Sequence, residues 1–431
     1  NDVNELLAFE LLKARGLIGP LSELTAATDL DPHLGLVDLK LIRKFPRNLT
    51  QRHRLGPLGY GWNHIWEITL TEEADGTVVI KHGNGASRVY QPDSRGGVYF
   101  SSRGDTAALR KSGGSYTLTE QSGNQLAFDG SGLLTHRSDR HGNSIQLQYD
   151  GHQLSRLTHS NGIFIDLAYN GSGLLDTAED SLGRKVTFEY DANSHLVEVI
   201  DAKGRVTQYA YDVSASSQLR HALTRVTYPG DIIHNYTYDE FGRLASHNTA
   251  LGATVFDYDQ GDLISTDGAG NKATLSFDHL GSLRRIMTPQ GGIVSFGYDE
   301  VLNNTQVRGE DGSAMEFAYD RNKRIAEAIN QNGDAKTYTS GAFAQYGSST
   351  SAQGRRIDYE YDANGNLSSM VYPNGKTESF VYDASGRLTE HVSATGVTET
   401  TTYNSVGLPL TKSYSDGTTR TFAYDSNNRL V

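Results

Sequence analysis

The 431 residues include no cysteine, 9 prolines, 3 methionines and 2 tryptophans. Without cysteine there is no disulfide, thiol nucleophile or thiolate metal site, and the redox compartment stays open. Basic residues are also short: 39 Lys and Arg stand against 51 Asp and Glu, a formal net charge of −12. A surface of that sign repels phosphate backbones and anionic lipid, which argues against nucleic acid as a partner. Long apolar runs are missing as well. No segment approaches the roughly 20 apolar residues of a spanning helix, and mean hydropathy is −0.50, so no membrane span is expected. The chain begins at Asn1 with no signal-peptide pattern, which reads as a processed or excised fragment. Glycine is abundant, at 46 residues, beside 24 tyrosines and 14 phenylalanines. That composition implies many tight turns and a real core, and it excludes disorder throughout.

The turns are periodic. An aromatic residue followed by Asp or Asn recurs from Phe128 to Tyr424 at intervals of 21, 20, 21, 21, 27, 20, 19, 21, 21, 42, 21, 21 and 21. The pairs include Tyr190-Asp191, Tyr238-Asp239, Tyr298-Asp299, Tyr319-Asp320, Tyr361-Asp362, Tyr382-Asp383 and Tyr424-Asp425. The interval of 42 is one degenerate copy, because Gly312, Gly333, Gly354, Gly375, Gly396 and Gly417 keep the phase of 21 through it. After these glycines apolar residues alternate with polar ones, as in Val294, Phe296, Tyr298 and Ile357, Tyr359, Tyr361, which is the period of a half-buried strand. The motif then runs aromatic-Asp-x-x-Gly-x-Leu, as in YDEFGRL with Gly242, YDANGNL with Gly365 and YDASGRL with Gly386. This predicts a hairpin turn in which Asp accepts from backbone amides and Gly supplies positive φ. Each repeat is one β-hairpin that cannot bury its apolar face alone, so neighbours must stack into a continuous sheet. Strand aromatics such as Phe317 and Tyr359 are expected to be buried.

The repeats resemble the YD repeat of Rhs proteins, bacterial toxin-complex C subunits, wall-associated proteins and teneurins. The stretch 36 to 70, LVDLKLIRKFPRNLTQRHRLGPLGYGWNHIWEITL, is similar to the opening of bacterial Rhs cores, with its Gly61-Trp62 turn. The resemblance covers about 36 to 431. It implies an all-β strip of hairpins spiralling into a hollow shell around a C-terminal cargo, commonly a toxin, or presenting a surface for adhesion or glycan contact. Rhs cores usually close with an Asp-Pro-rich region that performs aspartyl autocleavage. Nothing like it lies between Tyr403 and Val431, so cargo, cleavage site and part of the shell are expected to lie outside this chain.

Three segments are expected: 1–35, helix and loop, with a helix at 5–15 and loop to about Pro32; 36–122, an N-terminal β module of the Rhs core; and 123–431, the hairpin array. A β-propeller is the competing fold, since two hairpins make 42 residues, the size of a blade. A blade has unlike inner and outer hairpins, whereas odd and even copies here carry the same motif, which favours the shell. Fourteen hairpins give about 28 strands at about 4.8 Å each, a strip of about 130 Å. That is little more than one turn of a barrel about 40 Å across, with an open end that invites pairing with another chain.

Candidate chemistry is sparse. Asp362–Asn366, DANGN, copies the start of a calcium loop, but the twelfth position is Pro373, not Glu, so an Asx-type turn is the better reading. His136, His141, His152 and His159 match no metal-ligand spacing. Gly56, Gly59 and Gly61 lack the phosphate-loop pattern and read as a tight turn. Residues 214 to 221 and 340 to 351 read as surface excursions, with a binding loop as the alternative. No cofactor, metal or catalytic constellation is expected, and the YD residues are read as structural. The functional expectation is a non-catalytic, secreted or cell-surface shell fragment that encapsulates or scaffolds a cargo. Its partners would be that cargo, the remaining shell segments, or glycans. A carbohydrate-binding adhesin surface is the alternative, and a polysaccharide-active enzyme the third reading.

Overall fold

A computed structural model describes residues 23–32, 37–47, 49–102, 104–212, 218–259, 261–425 and 428–431. The helix expected at 5–15 lies outside these. The array is a single antiparallel sheet of 31 strands, from Ala108–Ser112 to Thr419–Thr421, in which every strand pairs with its sequence neighbours. A propeller would divide into separate blades, and this sheet does not. Three smaller sheets precede it. Glu23–Leu30 pairs with Leu41–Pro46, which pairs with Asn63–His64; Leu55–Gly56 pairs with Gly59–Tyr60; and four strands span Ile68–Glu72 to Tyr99–Ser101. The strand Glu23–Leu30 occupies sequence expected to be loop. Its alternation is weak, and what places it is its partner: Arg43 on the neighbouring strand donates to the buried carboxylate of Asp29 at 2.9 Å. An ion pair with a residue 14 positions away leaves no local signal.

Curvature is written into the repeat. The ladder slips by one residue just before the motif aromatic, between Glu189 and Tyr190, Thr237 and Tyr238, Ala318 and Tyr319, Glu360 and Tyr361, and Val381 and Tyr382. A β-bulge bends its strand and sharpens the twist, so one bulge per hairpin curls the sheet in one direction. Tyr258, at the shortened interval of 19, pairs with Leu263 without a slip. The degenerate copy keeps the geometry: Ser340 pairs with Tyr346 across the same bulge, and Ala344 takes the glycine position at φ 60°. The stretch 340–351 is therefore a regular hairpin, not an excursion.

The sheet returns on itself. His141 Nε2 lies 2.6 Å from Asn366 Oδ1, and the Asn143 side-chain amide donates to the Ser385 carbonyl at 2.9 Å. Phe343 wedges between Gly123 and Gly365, leaving no room for a side chain at Gly365, and Arg140 covers its ring at 5.4 Å. The strands from Ser144–Asp150 through Arg356–Tyr361 make up one circuit, 21 in all. At about 4.8 Å per strand that circuit is about 100 Å, or about 32 Å across. The spiral turns meet through their hairpin loops and not through a ladder, so the sheet is not closed.

Burial is uneven along the spiral. Val186, Phe188, Leu196, Val199, Val226 and Leu263 are buried, but beyond Leu263 no apolar side chain among the described residues is. Phe317 and Tyr359 are half-buried, contrary to expectation, because they lie past Leu263, where the buried apolar core ends. Two predictions follow from this asymmetry and from the turns. Phe188→Ala should cost about 3 to 5 kcal/mol and Phe317→Ala less than half of that, read from urea midpoints; equal losses would refute the uncovered face. Gly375 and Gly386 hold φ of 75° and 78°, whereas Leu302, exposed, is forced to 64°. Gly375→Val or Gly386→Val should lower the thermal midpoint more than Ser415→Val does, and Leu302→Gly should raise it, by the equivalent of about 1 kcal/mol.

Candidate functional site

The repeat unit is a two-part clamp at each bulge. The phenol of the motif tyrosine donates to a backbone carbonyl on the preceding strand: Tyr190 to Leu175 at 2.7 Å, Tyr238 to Leu223 at 2.6 Å, and Tyr298 to Leu283 at 3.0 Å. Tyr319 reaches Asn304 at 2.6 Å, Tyr361 reaches Tyr346 at 2.8 Å and Tyr424 reaches Pro409 at 2.9 Å. Tyr382 makes no such bond. Burial pushes the phenols of Tyr190 and Tyr238 well up, which keeps them as donors. One oxygen of the following carboxylate accepts the amides two and four residues on, as Asp239 does from Phe241 and Arg243. Asp299, Asp320, Asp362 and Asp383 repeat this arrangement, and Asp425 accepts the Arg429 amide. Gly242, Gly365 and Gly386 carry positive φ at the fourth position of the turn.

The residue after that glycine position was not singled out in the sequence, yet it closes the clamp. Arg243, Arg324, Arg387 and Arg429 return their guanidinium groups to the second oxygen of Asp239, Asp320, Asp383 and Asp425. Asn303 and Asn366 do the same for Asp299 and Asp362 with their side-chain amides. The signal was present, since YDEFGRL and YDANGNL both put a donor there. The run at Asp362 is thus an Asx turn closed on itself.

The N-terminal β module seats inside the first spiral turn. The Trp62 indole donates to the Tyr211 hydroxyl at 2.7 Å, Arg43 to the Tyr209 hydroxyl at 2.6 Å, and Tyr236 to the Leu24 carbonyl at 2.9 Å. Arg52, fully buried, donates to the Gln218 and Gly242 carbonyls at 3.1 Å each and lies over the Tyr238 ring. Backbone bonds join Leu175 to Pro57 and Tyr60 to Ser194. These contacts run from the strand of Leu175 to the turn at Gly242, six strands of the circuit, which a body on the concave side can reach.

At the centre of this contact is a relay that the sequence did not reveal. His195 Nδ1 lies 2.9 Å from Asp191 Oδ2, and its Nε2 lies 2.8 Å from Nδ1 of His221. Tyr60 stacks on the His221 ring at 3.8 Å, and Tyr211 stacks on His195 at 4.6 Å. His221 belongs to the stretch expected to be a surface excursion. It is buried instead, held between Tyr60 and His195. Burial lowers its pKa to about 4, with further lowering from the neighbouring His195. Burial opposes charge on Asp191, but the His195 amide and ring hold its carboxyl below the usual range.

The other histidines go separate ways: His141 joins the two spiral turns, His159 is buried, and His152 lines a cleft of about 710 Å³ between the module and the sheet, with Trp66, Glu67 and Tyr169. The residues Gly56, Gly59 and Gly61 form the tight hairpin of Leu55–Gly56 and Gly59–Tyr60. No helix among the described residues is long and apolar enough to cross a membrane.

The spiral sheet has the fold of solved Tc toxin structures, and parts of it match the RHS repeat, as the sequence resemblance implied. The RHS repeat model matches residues 169–206, 190–231, 348–377, 361–398 and 382–419. A probable deoxyribonuclease RhsB of Dickeya dadantii (strain 3937) is 26% identical over 262 residues, which cover 58% of this chain and 18% of that protein. The TcdB2–TccC3–Cdc42 crystal structure superposes with TM-score 0.55 at 12% identity, covering 91% of this chain and 27% of that one. The Photorhabdus luminescens Tc holotoxin pore, with a mutated TccC3, gives 0.56 at 13% identity, covering 91% and 26%. At these identities the structural likeness shows the fold. The chain spans less than a third of each relative's length.

The clamp and the relay each generate a test. Tyr361→Phe should cost about 1 kcal/mol in urea unfolding, and Tyr382→Phe almost nothing. His221 binds fewer protons folded than unfolded, so stability should fall as pH drops from about 6.5 toward 4 and level off below that. His221→Asn, which tolerates the 65° φ of this residue, should flatten that part of the pH profile; an unchanged slope would remove His221 from the linkage.

Proposed function

We propose that this chain is a wall segment of a secreted or surface-exposed shell that encloses a polypeptide cargo, such as a toxin, carried elsewhere in the same gene product. The observation that supports this most directly is the state of the inner face. The sheet as far as Leu263 is filled by the N-terminal module, while the strands beyond it present half-buried aromatic residues, Phe296, Phe317, Tyr338, Tyr359 and Phe380, to the interior. A row of this kind is partly desolvated by curvature and gains from apolar contact with whatever lies inside. The 31 strands exceed one 21-strand circuit by half, so stacking of turns builds height while the diameter stays constant. The wall itself needs no chemistry for this role. The deoxyribonuclease activity in the relative's name belongs to that protein.

The full gene product tests the reading by limited proteolysis. Its cargo segment should survive protease that digests the same segment expressed alone, and should become sensitive once the shell is unfolded in urea. Digestion of the cargo at equal rates in both settings would eliminate enclosure.

A further inference from the structure

The second spiral turn carries a cavity of about 630 Å³ at the corner where its inner face meets the loops opposite the YD turns. Ile357, Tyr372 and Pro373 contribute its apolar part, and Lys336, Arg355 and Lys376 its charge. No carboxylate lines it, in a chain of net charge −12. None of the three cations has an ion pair among the described residues. Glu378, outside the lining, is engaged with Tyr372 and lies 3.6 Å from His391.

The same loop position is used elsewhere in the fold. In the first turn, the last residue of two such loops reaches out of its own hairpin to a carbonyl of another segment. Asn143 donates to the Ser385 carbonyl at 2.9 Å, and Arg184 to the Asp31 carbonyl at 2.9 Å. Arg355 and Lys376 hold the corresponding position in the second turn, one repeat of 21 residues apart, and have no acceptor there. Two strands separate them, about 10 Å of sheet. Lys336 shares the inner face with Tyr338, over whose ring its ammonium sits at 5.2 Å.

From this arrangement we infer that the pocket binds an acidic polypeptide segment, its carboxylates between Lys336, Arg355 and Lys376 and its apolar side chains against Ile357, Tyr372 and Pro373. A peptide fits better than a bare anion, because the cations are spread along about 20 Å of sheet edge beside an apolar floor and do not converge on one point. The inference takes from the enclosing reading only that a polypeptide reaches the inner face.

The test uses the whole chain and a labelled extended nonapeptide carrying four glutamates and two leucines, with a glutamine-for-glutamate peptide as control, followed by fluorescence anisotropy. The glutamate peptide should bind, the glutamine peptide should not, and raising salt from 0.05 to about 0.5 M should abolish binding. Arg355→Glu with Lys376→Glu should weaken binding by roughly tenfold or more. Both side chains are exposed on loops, and Lys203→Glu with Lys272→Glu, exposed and remote from the pocket, should leave binding unchanged. The proposal is overturned if the glutamine peptide binds equally, if both charge reversals act alike, or if inorganic phosphate or a sulfated dextran oligosaccharide displaces the peptide at equal anion concentration. Because no cargo is involved, peptide binding can fail while protease protection of the cargo holds, and the reverse.

Discussion

One constraint runs through the molecule: the hairpins, Tyr258 apart, place a bulge at the motif aromatic, and that bulge must be held. The carbonyl beside it is taken by the phenol of the next tyrosine, and the turn beyond it is closed by a carboxylate that accepts two amides and one side-chain donor. A buried carbonyl without a partner, or a turn free to change type, would cost about 1 to 3 kcal/mol per repeat and, worse, would let the curvature vary. Because the clamp is copied in phase, small bends add to one radius. The spiral closes a circuit at 21 strands, and Asn366 and Ser385 arrive where His141 and Asn143 can meet them. The copy at Ser340 shows which part matters, since it has lost both tyrosine and aspartate and still follows the bulge of its neighbours.

The second determinant is the N-terminal module. A curved sheet buries little against itself, and the apolar core exists only where this module lies on the concave face. Its anchors are polar groups that become worthwhile in a dry setting: the Trp62 indole on Tyr211, the Arg52 guanidinium on two carbonyls, and the Asp191–His195–His221 relay under Tyr60. Such groups have to find all of their partners together, which makes the seating of the module specific. The strands beyond Leu263 have no comparable filling, and their face combines half-buried aromatics with unpaired cations at one corner. A wall that is finished up to Leu263 and receptive beyond it fits a protein whose interior is completed by another segment.

Sequence alone determined the repeating part. The spacing of 21, the alternation along each strand, the Asp and Gly of each turn and the near-absence of proline are local or periodic properties, and together they require antiparallel hairpins in one sheet. The bulge at the motif aromatic, and the role of Arg243, Asn366 and their equivalents, became visible only from the ladder register and the bonds they make. The tertiary structure decided everything that depends on residues far apart in the chain. Glu23–Leu30 became a strand through Arg43, Phe343 became a wedge through contact with a hairpin two hundred residues earlier, and His221 moved from an expected surface loop to a buried relay. Phe317 and Phe188 occupy the same motif position, and only one of them is buried. A periodic sequence specifies the face a side chain points to, while whether that face is covered depends on a module that packs against some repeats and not others.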